Sequence, residues 1–200
     1  MKQSRAIKIP IFPNEQQITL ICKTFGCTRF IWNNMLSDEI EFYCATDKHF
    51  VPTPAKYKKE FPFLKEIDSL ALANVQQQLE KSFRNFFTNQ KNFRHPKFKS
   101  KKKAKKSYTT NCQITKSGPT IYATKNCVRL PKLGKIKANL YRTPPEHWVL
   151  KSATVSQTKS GKFFCSLTYE FDTPTPQEVL PTDANTIGLD YSSPDFYVDD

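Results

Sequence analysis

The sequence predicts an α+β fold, on three observations. A short segment of alternating basic and apolar residues opens the chain, two long stretches with helical spacing follow, and from residue 108 the pattern turns to short strands separated by Gly turns. Several short strands at that spacing suggest a small barrel or sandwich. At 200 residues there is room for one large domain or two small ones. An apolar content of 38% with 16 Phe is enough to build a core and argues against a wholly disordered chain.

Residues 6–12 read A-I-K-I-P-I-F and form the first expected strand, with Pro10 marking an edge or a strand end. Pro13-Asn14 makes a turn, with Asn14 as helix cap and Glu15 in the first turn. Ile18, Ile21, Cys22 and Phe25 follow at helical spacing, and the signal runs through Phe30, Ile31, Met35, Leu36 and Ile40 to about Cys44. Gly26 in its middle either weakens the helix or admits another backbone closely. Residues 46–68 read as a connector with short helices, one of them opening at Thr53-Pro54. Ser69 is the expected cap of a second long helix. Its stripe is Leu72, Val75, Leu79, Phe83 and Phe86, widened by Phe87, and it fades before Pro96.

The β part begins at residues 108–114 and 120–123, flanking the turn Ser117-Gly118. Strands at 128–130 and 136–141 flank Lys132-Leu133-Gly134-Lys135, and strands at 152–157 and 163–169 flank Lys159-Ser160-Gly161-Lys162. Residues 172–185, rich in Pro and Thr, read as a linker. A further strand at 186–190 has a possible hairpin partner in Phe196-Tyr197-Val198. Two strands alone do not make a stable domain, so a new structural unit opens there.

Charge points to a partner. Lys and Arg number 31 against 18 Asp and Glu, a formal net charge of +13. The excess is concentrated: residues 81–145 hold no Asp or Glu and carry 18 of the basic residues, whereas residues 163–200 hold no Lys or Arg and carry eight acids. An acid-free stretch of that length is the electrostatic footprint expected of a surface that meets phosphates. Its densest part is K-N-F-R-H-P-K-F-K-S-K-K-K-A-K-K over 91–106, whose end at 101–106 is expected to be a mobile loop. Phe93 and Phe98, interleaved with the bases, either stack on nucleobases or anchor the loop.

Other classes lose ground. No run of 18 apolar residues is present to span a membrane. The chain opens into a strand-like segment instead of an apolar signal region, so secretion is not expected. The six cysteines form no C-x-x-C pair and the three His are far apart, so buried or free thiols are expected in place of a zinc site or disulfide framework.

Several segments together resemble the transposon-associated TnpB (OrfB) family, and through it the compact type V CRISPR effectors. They are Phe25-Gly26-Cys27-Thr28-Arg29-Phe30-Ile31-Trp32-Asn33, the helix from Ser69 through Asn85-Phe86-Phe87, Pro96-Lys97-Phe98-Lys99-Ser100-Lys101 and Ser107-Tyr108-Thr109-Thr110. Leu130-Pro131-Lys132-Leu133-Gly134, Thr154-Val155-Ser156 with Ser160-Gly161-Lys162, and Gly188-Leu189-Asp190-Tyr191 complete the series. Tyr191-Ser192-Ser193 departs from the more Gly-containing turn of many relatives.

The resemblance implies a β-barrel (the wedge region) interrupted by a helical recognition region and followed by an RNase H-like (RuvC) nuclease domain. The implied division is 1–13 for the first barrel strand, 14–106 for the recognition region with its basic loop, and 107–172 for the rest of the barrel. A linker at 173–185 and the start of the nuclease domain at 186–200 follow. Residue by residue, the family's first Mg²⁺-binding Asp matches Asp190. The family's other metal-binding carboxylates and its zinc ribbon are matched by nothing in this chain. Mg²⁺ is therefore expected only in a full-length form, and these 200 residues are not expected to cut, because two-metal cleavage needs several ligands per ion.

The implied partners are guide RNA and target DNA, in a prokaryotic cytoplasm and on the nucleoid when DNA is bound. Candidate contacts are Arg29, Lys81, Arg84, Arg94, Lys97, Lys99, Lys101, Lys102, Lys103, Lys105, Lys106, Lys132 and Lys135. The competing reading is a non-catalytic nucleic-acid-binding regulator or remnant. A DNA-strand transferase gains nothing, since no His-hydrophobe-His motif with a Tyr nucleophile is present.

Overall fold

The structure is a computed structural model, and it describes residues 1–116, 118–173, 189–190 and 198–199. The chain divides into a large unit, Lys2–Phe171, and a small one comprising Met1 and Asp172–Asp200. In the large unit the order is β1 (Lys2–Phe12), α1 (Glu15–Thr46), α2 (Pro54–Glu60), a 3-10 turn (Pro62–Lys65) and α3 (Ser69–Thr88). The strands β2 (Ser107–Asn111), β3 (Ile114–Thr115), β4 (Gly118–Pro119), β5 (Tyr122–Ala123), β6 (Cys127–Leu130), β7 (Gly134–Ala138), β8 (Val149–Gln157) and β9 (Phe163–Asp172) follow.

Seven strands form one sheet in the order β2-β8-β9-β1-β7-β6-β5. The first strand of the chain thus sits in the middle of strands that come after both long helices. Ile11 pairs with Ala138 and Phe12 with Lys137. Alternation sets the faces: Ile7, Ile9 and Ile11 are buried while Lys8 is exposed, and β9 alternates buried and half-buried along its length. The expected barrel does not close among the described residues. β2 and β5 are the two edges, and the residues beyond their ends meet through Cys112 Sγ, 3.4 Å from Ile121 O, and through Gln113, whose O accepts from Thr120 N at 2.8 Å and whose N donates to Thr120 Oγ1 at 2.9 Å. The physical reason is the β3–β4 hairpin, which takes the residues between β2 and β5 into a separate two-stranded ladder. The segments flanking the turn at 117–118 pair only near it, Ile114 opposite Pro119, while β2 pairs with β8, Tyr108 opposite Val155.

α1 is unbroken through Gly26 and is about 48 Å long at 1.5 Å per residue. Asn14 caps it as expected, and Gln17 completes a capping box with bonds of 2.9 and 3.0 Å. Its first half places Ile21 and Phe25 in the sheet core, with Ala71 of α3. Its second half places Ile31, Met35 and Leu36 against Leu72, Val75, Leu79 and Phe83. A Cβ on Gly26 would meet nothing within 4 Å, so no backbone approaches there. The cap of α3 is Asp68, whose carboxylate accepts from Leu70 N at 3.1 Å, and Ser69 is the first helical residue. The other Asp68 oxygen accepts from Thr110 Oγ1, tying α3 to β2. Of the expected stripe Leu72, Val75, Leu79 and Phe83 are buried, while Phe87 is exposed.

In the small unit, Met1 N donates to Thr173 O at 2.7 Å and Thr173 N to Met1 O at 2.9 Å. There β10 (Leu189–Asp190) pairs antiparallel with β11 (Val198–Asp199), with Asp190 opposite Val198. The linker expected at 173–185 lies outside the described residues from 174 onward.

Candidate nucleic-acid interface

The motif on α1 and the basic segment after α3 meet. Asn33 Oδ1 accepts from Lys99 N at 2.8 Å, and Asn33 Nδ2 donates to Lys99 O at 3.0 Å. One amide thereby takes both backbone groups of one residue, which needs Asn's donor-and-acceptor head. Trp32 Nε1 donates to Lys97 O at 3.0 Å. The Lys99 ammonium lies 3.4 Å from the centre of the Trp32 ring, over its negative face. Three consecutive positions of the segment are therefore fixed through its backbone at Lys97 and Lys99, leaving Lys97 and Phe98 exposed. Burial pushes the Lys99 amine down to about 8.

Two recesses flank this clamp. The first, about 310 Å³, lies between α1, α3 and the start of β2, and Arg29, Lys99, Lys105 and Lys106 line it with Gln78, Phe25 and Tyr108. The second is an open groove of about 700 Å³ on the outer side of the β2–β8 ladder. Lys8, Lys101, Lys102, Lys103, Lys105, Lys106 and Lys159 line it with Thr154, Ser156 and Gln157. No Asp or Glu lines either one. The run 101–106, read from the sequence as a loop, forms turns tied by backbone bonds. Ala104 N donates to Ser100 O at 2.9 Å, Lys103 N to Ser100 Oγ at 3.1 Å, and Gln157 N to Lys106 O at 2.9 Å. Its lysines crowd there because the turn bends back to start β2.

Of the residues singled out by sequence, the two recesses gather Arg29, Lys99, Lys101, Lys102, Lys103, Lys105 and Lys106. The others lie elsewhere. Lys81 and Arg94 are exposed outside both recesses, and Arg84 faces a separate hollow with His49 and Phe87. Lys132 sits in the β6–β7 turn and Lys135 in β7 opposite Arg129, and Gln17 Nε2 of α1 donates to Leu133 O and Lys135 O at 3.1 and 2.9 Å. Lys8 and Lys159 were missed as contacts. The signal for Lys8 was its outward position in an alternating strand, and for Lys159 the K-S-G-K turn that returns β9 beside β8.

Asp190 lies in β10, opposite Val198. Among the described residues no three His, Cys, Asp or Glu side chains gather as a metal-holding group. No helix is long and apolar enough to cross a membrane among the described residues.

Both recesses are lined by cations and by no carboxylate, an arrangement suited to an anion. The comparisons with known proteins are more specific. The profile of the OrfB/IS605 family, described as a helix-turn-helix domain, matches residues 1–48. In this structure those residues are a strand and one continuous helix, with no turn dividing α1. A Streptomyces pristinaespiralis protein named "Putative RNA-guided DNA endonuclease" is 29% identical over 196 residues, 93% of this chain and 45% of that protein. "Putative RNA-guided DNA endonuclease InsQ" of Escherichia coli K12 is 29% identical over 200 residues, 95% of this chain and 46% of that protein. The chain spans under half the length of these curated relatives. The resemblance read from the sequence motifs agrees with these matches: the OrfB model over residues 1–48, and proteins named putative RNA-guided DNA endonucleases over nearly all of the chain.

Proposed function

We propose that this chain is the N-terminal, nucleic-acid-holding portion of a TnpB-like RNA-guided DNA endonuclease. It grips guide RNA and target DNA by their phosphates and does not cut DNA as a 200-residue chain. The observation that carries the reading is the pair of acid-free recesses sharing Lys105 and Lys106. Base pairing with a guide would read the target sequence, and the protein would hold the paired strands by their backbone. That division of labour needs a surface of cations without carboxylates.

In a longer form Asp190 would contribute one ligand to a Mg²⁺ site completed by residues outside this chain. The RuvC-like reading of 186–200 rests on the family resemblance. The test is a cleavage and binding assay on the purified chain with duplex DNA, with and without guide RNA, in Mg²⁺. Retention of DNA without strand cutting is expected. Mg²⁺-dependent cutting that Asp190→Ala removes would contradict the reading. In a longer form, Asp190→Ala should abolish cutting and leave binding nearly unchanged. Reading the DNA after codon 200 separates the alternative: a Glu-containing nuclease strand and two C-x-x-C pairs support the endonuclease, and a stop codon favours a binding-only regulator.

A further inference from the structure

We propose that the recess between α1, α3 and the start of β2 is a single-phosphate clamp, in which one phosphate of a nucleic-acid strand is seated among Arg29, Lys99, Lys105 and Lys106. The proposal rests on the reading of the chain as a nucleic-acid binder and goes further by naming one subsite and its ligand. At about 310 Å³ the recess is at the small end of ligand pockets, which run from roughly 300 to 1,000 Å³. A phosphodiester with part of a sugar fits that scale; a turn of duplex does not.

The electrostatics call for an anion. Lys99 and Arg29 are half-buried and Lys105 and Lys106 exposed, and neither an ion pair nor a hydrogen bond to the Lys99 ammonium is formed among the described residues. Only the Trp32 ring offsets its charge. α1 supplies Arg29, Thr28 and Trp32, α3 supplies the neutral Gln78, the turn supplies Lys105 and Lys106, and β2 supplies Tyr108, which burial keeps protonated far above neutral pH. Four like charges without a carboxylate repel one another, and a bound phosphate relieves that repulsion. Arg29 brings a planar fork suited to two phosphate oxygens, and Lys99 brings a point charge fixed by its backbone pairing with Asn33.

A partly buried lysine gives the clamp a signature that ordinary surface lysines lack. Lys99 binds phosphate as the ammonium, and its free-state pKa is about 8. Affinity should be constant below pH 8 and fall above it, approaching tenfold per pH unit while the bound form stays protonated. Surface lysines hold their charge to about pH 10.

The experiment measures affinity of the whole chain for a dye-labelled single-stranded DNA from pH 7 to 9.5 at fixed ionic strength. The wild type should weaken about tenfold over the upper part of that range. Lys99→Arg should bind at pH 7 and lose most of that decline, since Arg stays charged. Lys99→Gln should bind several-fold more weakly at pH 7 and show the same flattened profile, which keeps the test decisive if the Arg side chain does not fit. The three proteins differ only at position 99, so the difference between their profiles isolates Lys99. A flat wild-type profile, or a Lys99→Arg profile that declines like the wild type, would overturn the clamp while leaving phosphate binding by the open groove intact. No binding at any pH would overturn the wider reading as well.

Discussion

Asn33 and Trp32 do with backbone bonds what a charge pair could not do here, because a carboxylate beside Lys99 would neutralise the surface. Asn33→Ala removes two hydrogen bonds and leaves Lys99 N–H and C=O half-buried without partners. We expect a loss of about 1–3 kcal/mol in unfolding free energy, read by urea denaturation, and weaker DNA binding at 0.15 M salt. Unchanged stability and binding would mean that the clamp is incidental. The thiols give a second residue-scale expectation. Cys165 is fully enclosed and burial pushes its thiol up to about 12, and Cys27 is buried with its thiol also raised by burial. Cys22 and Cys44 are exposed. A thiol reagent at pH 8 should label Cys22 and Cys44 quickly and reach Cys27 and Cys165 only on unfolding, since the thiolate is the reactive species. Fast labelling of Cys165 in the folded chain would show that β9 is not packed as described. The sequence told apart neither of these pairs: scattered cysteines carry no spacing signal, and burial depends on which strand face each one occupies.

α1 is the element on which sequence and structure can be separated most sharply. Its buried positions run Ile21, Thr24, Phe25, Cys27, Thr28, Ile31, Trp32, Met35, Leu36 and Glu39, and the i, i+3, i+4 spacing continues through Gly26. A helix-turn-helix reading of residues 1–48 would need a break that this stripe does not contain. Gly26→Ala adds a methyl where nothing lies within 4 Å, so it should stabilise the protein by roughly 0.5–1 kcal/mol. Destabilisation on thermal or urea melting would show that the helix bends or that a backbone closes on that position. The helices were legible because caps and 3.6-residue spacing are local: Asn14 with Gln17 and the Leu72–Val75–Leu79–Phe83 stripe could be read without tertiary information. The cap of α3 was misplaced by one residue because Asp68 and Ser69 are both good caps and only the bond to Leu70 N decides between them. The strands were legible as elements but not as partners. Tyr108 to Asn111 pairs with β8, more than 40 residues away, and no turn residue announces that choice. The open barrel has the same cause, a two-residue hairpin at Ile114–Pro119 that the sequence shows only as a Gly turn.

At the scale of the whole molecule, the net charge of +13 describes the surface less well than its distribution does. The lysines of 101–106 were legible as a run, but the groove they line was not, because Lys8 and Lys159 join it only through the pairing of β2 with β8 and the insertion of β1 into the sheet. Restoring charge by contact predicts that Lys8→Gln with Lys159→Gln weakens DNA binding about as much as any two lysines of the run, measured by the same titration. A loss confined to the run would limit the interface to the turn itself. The central claim, that these recesses hold nucleic acid by its phosphates, is tested most directly by the salt dependence of duplex binding. If about 5 cations touch phosphates, log K should fall by about 4–5 for a tenfold rise in salt. Replacing Lys101, Lys102, Lys103, Lys105 and Lys106 with Gln should flatten that slope markedly and lower affinity equally for unrelated sequences. A slope near zero in the wild type, or an unchanged slope after the five replacements, would contradict the account.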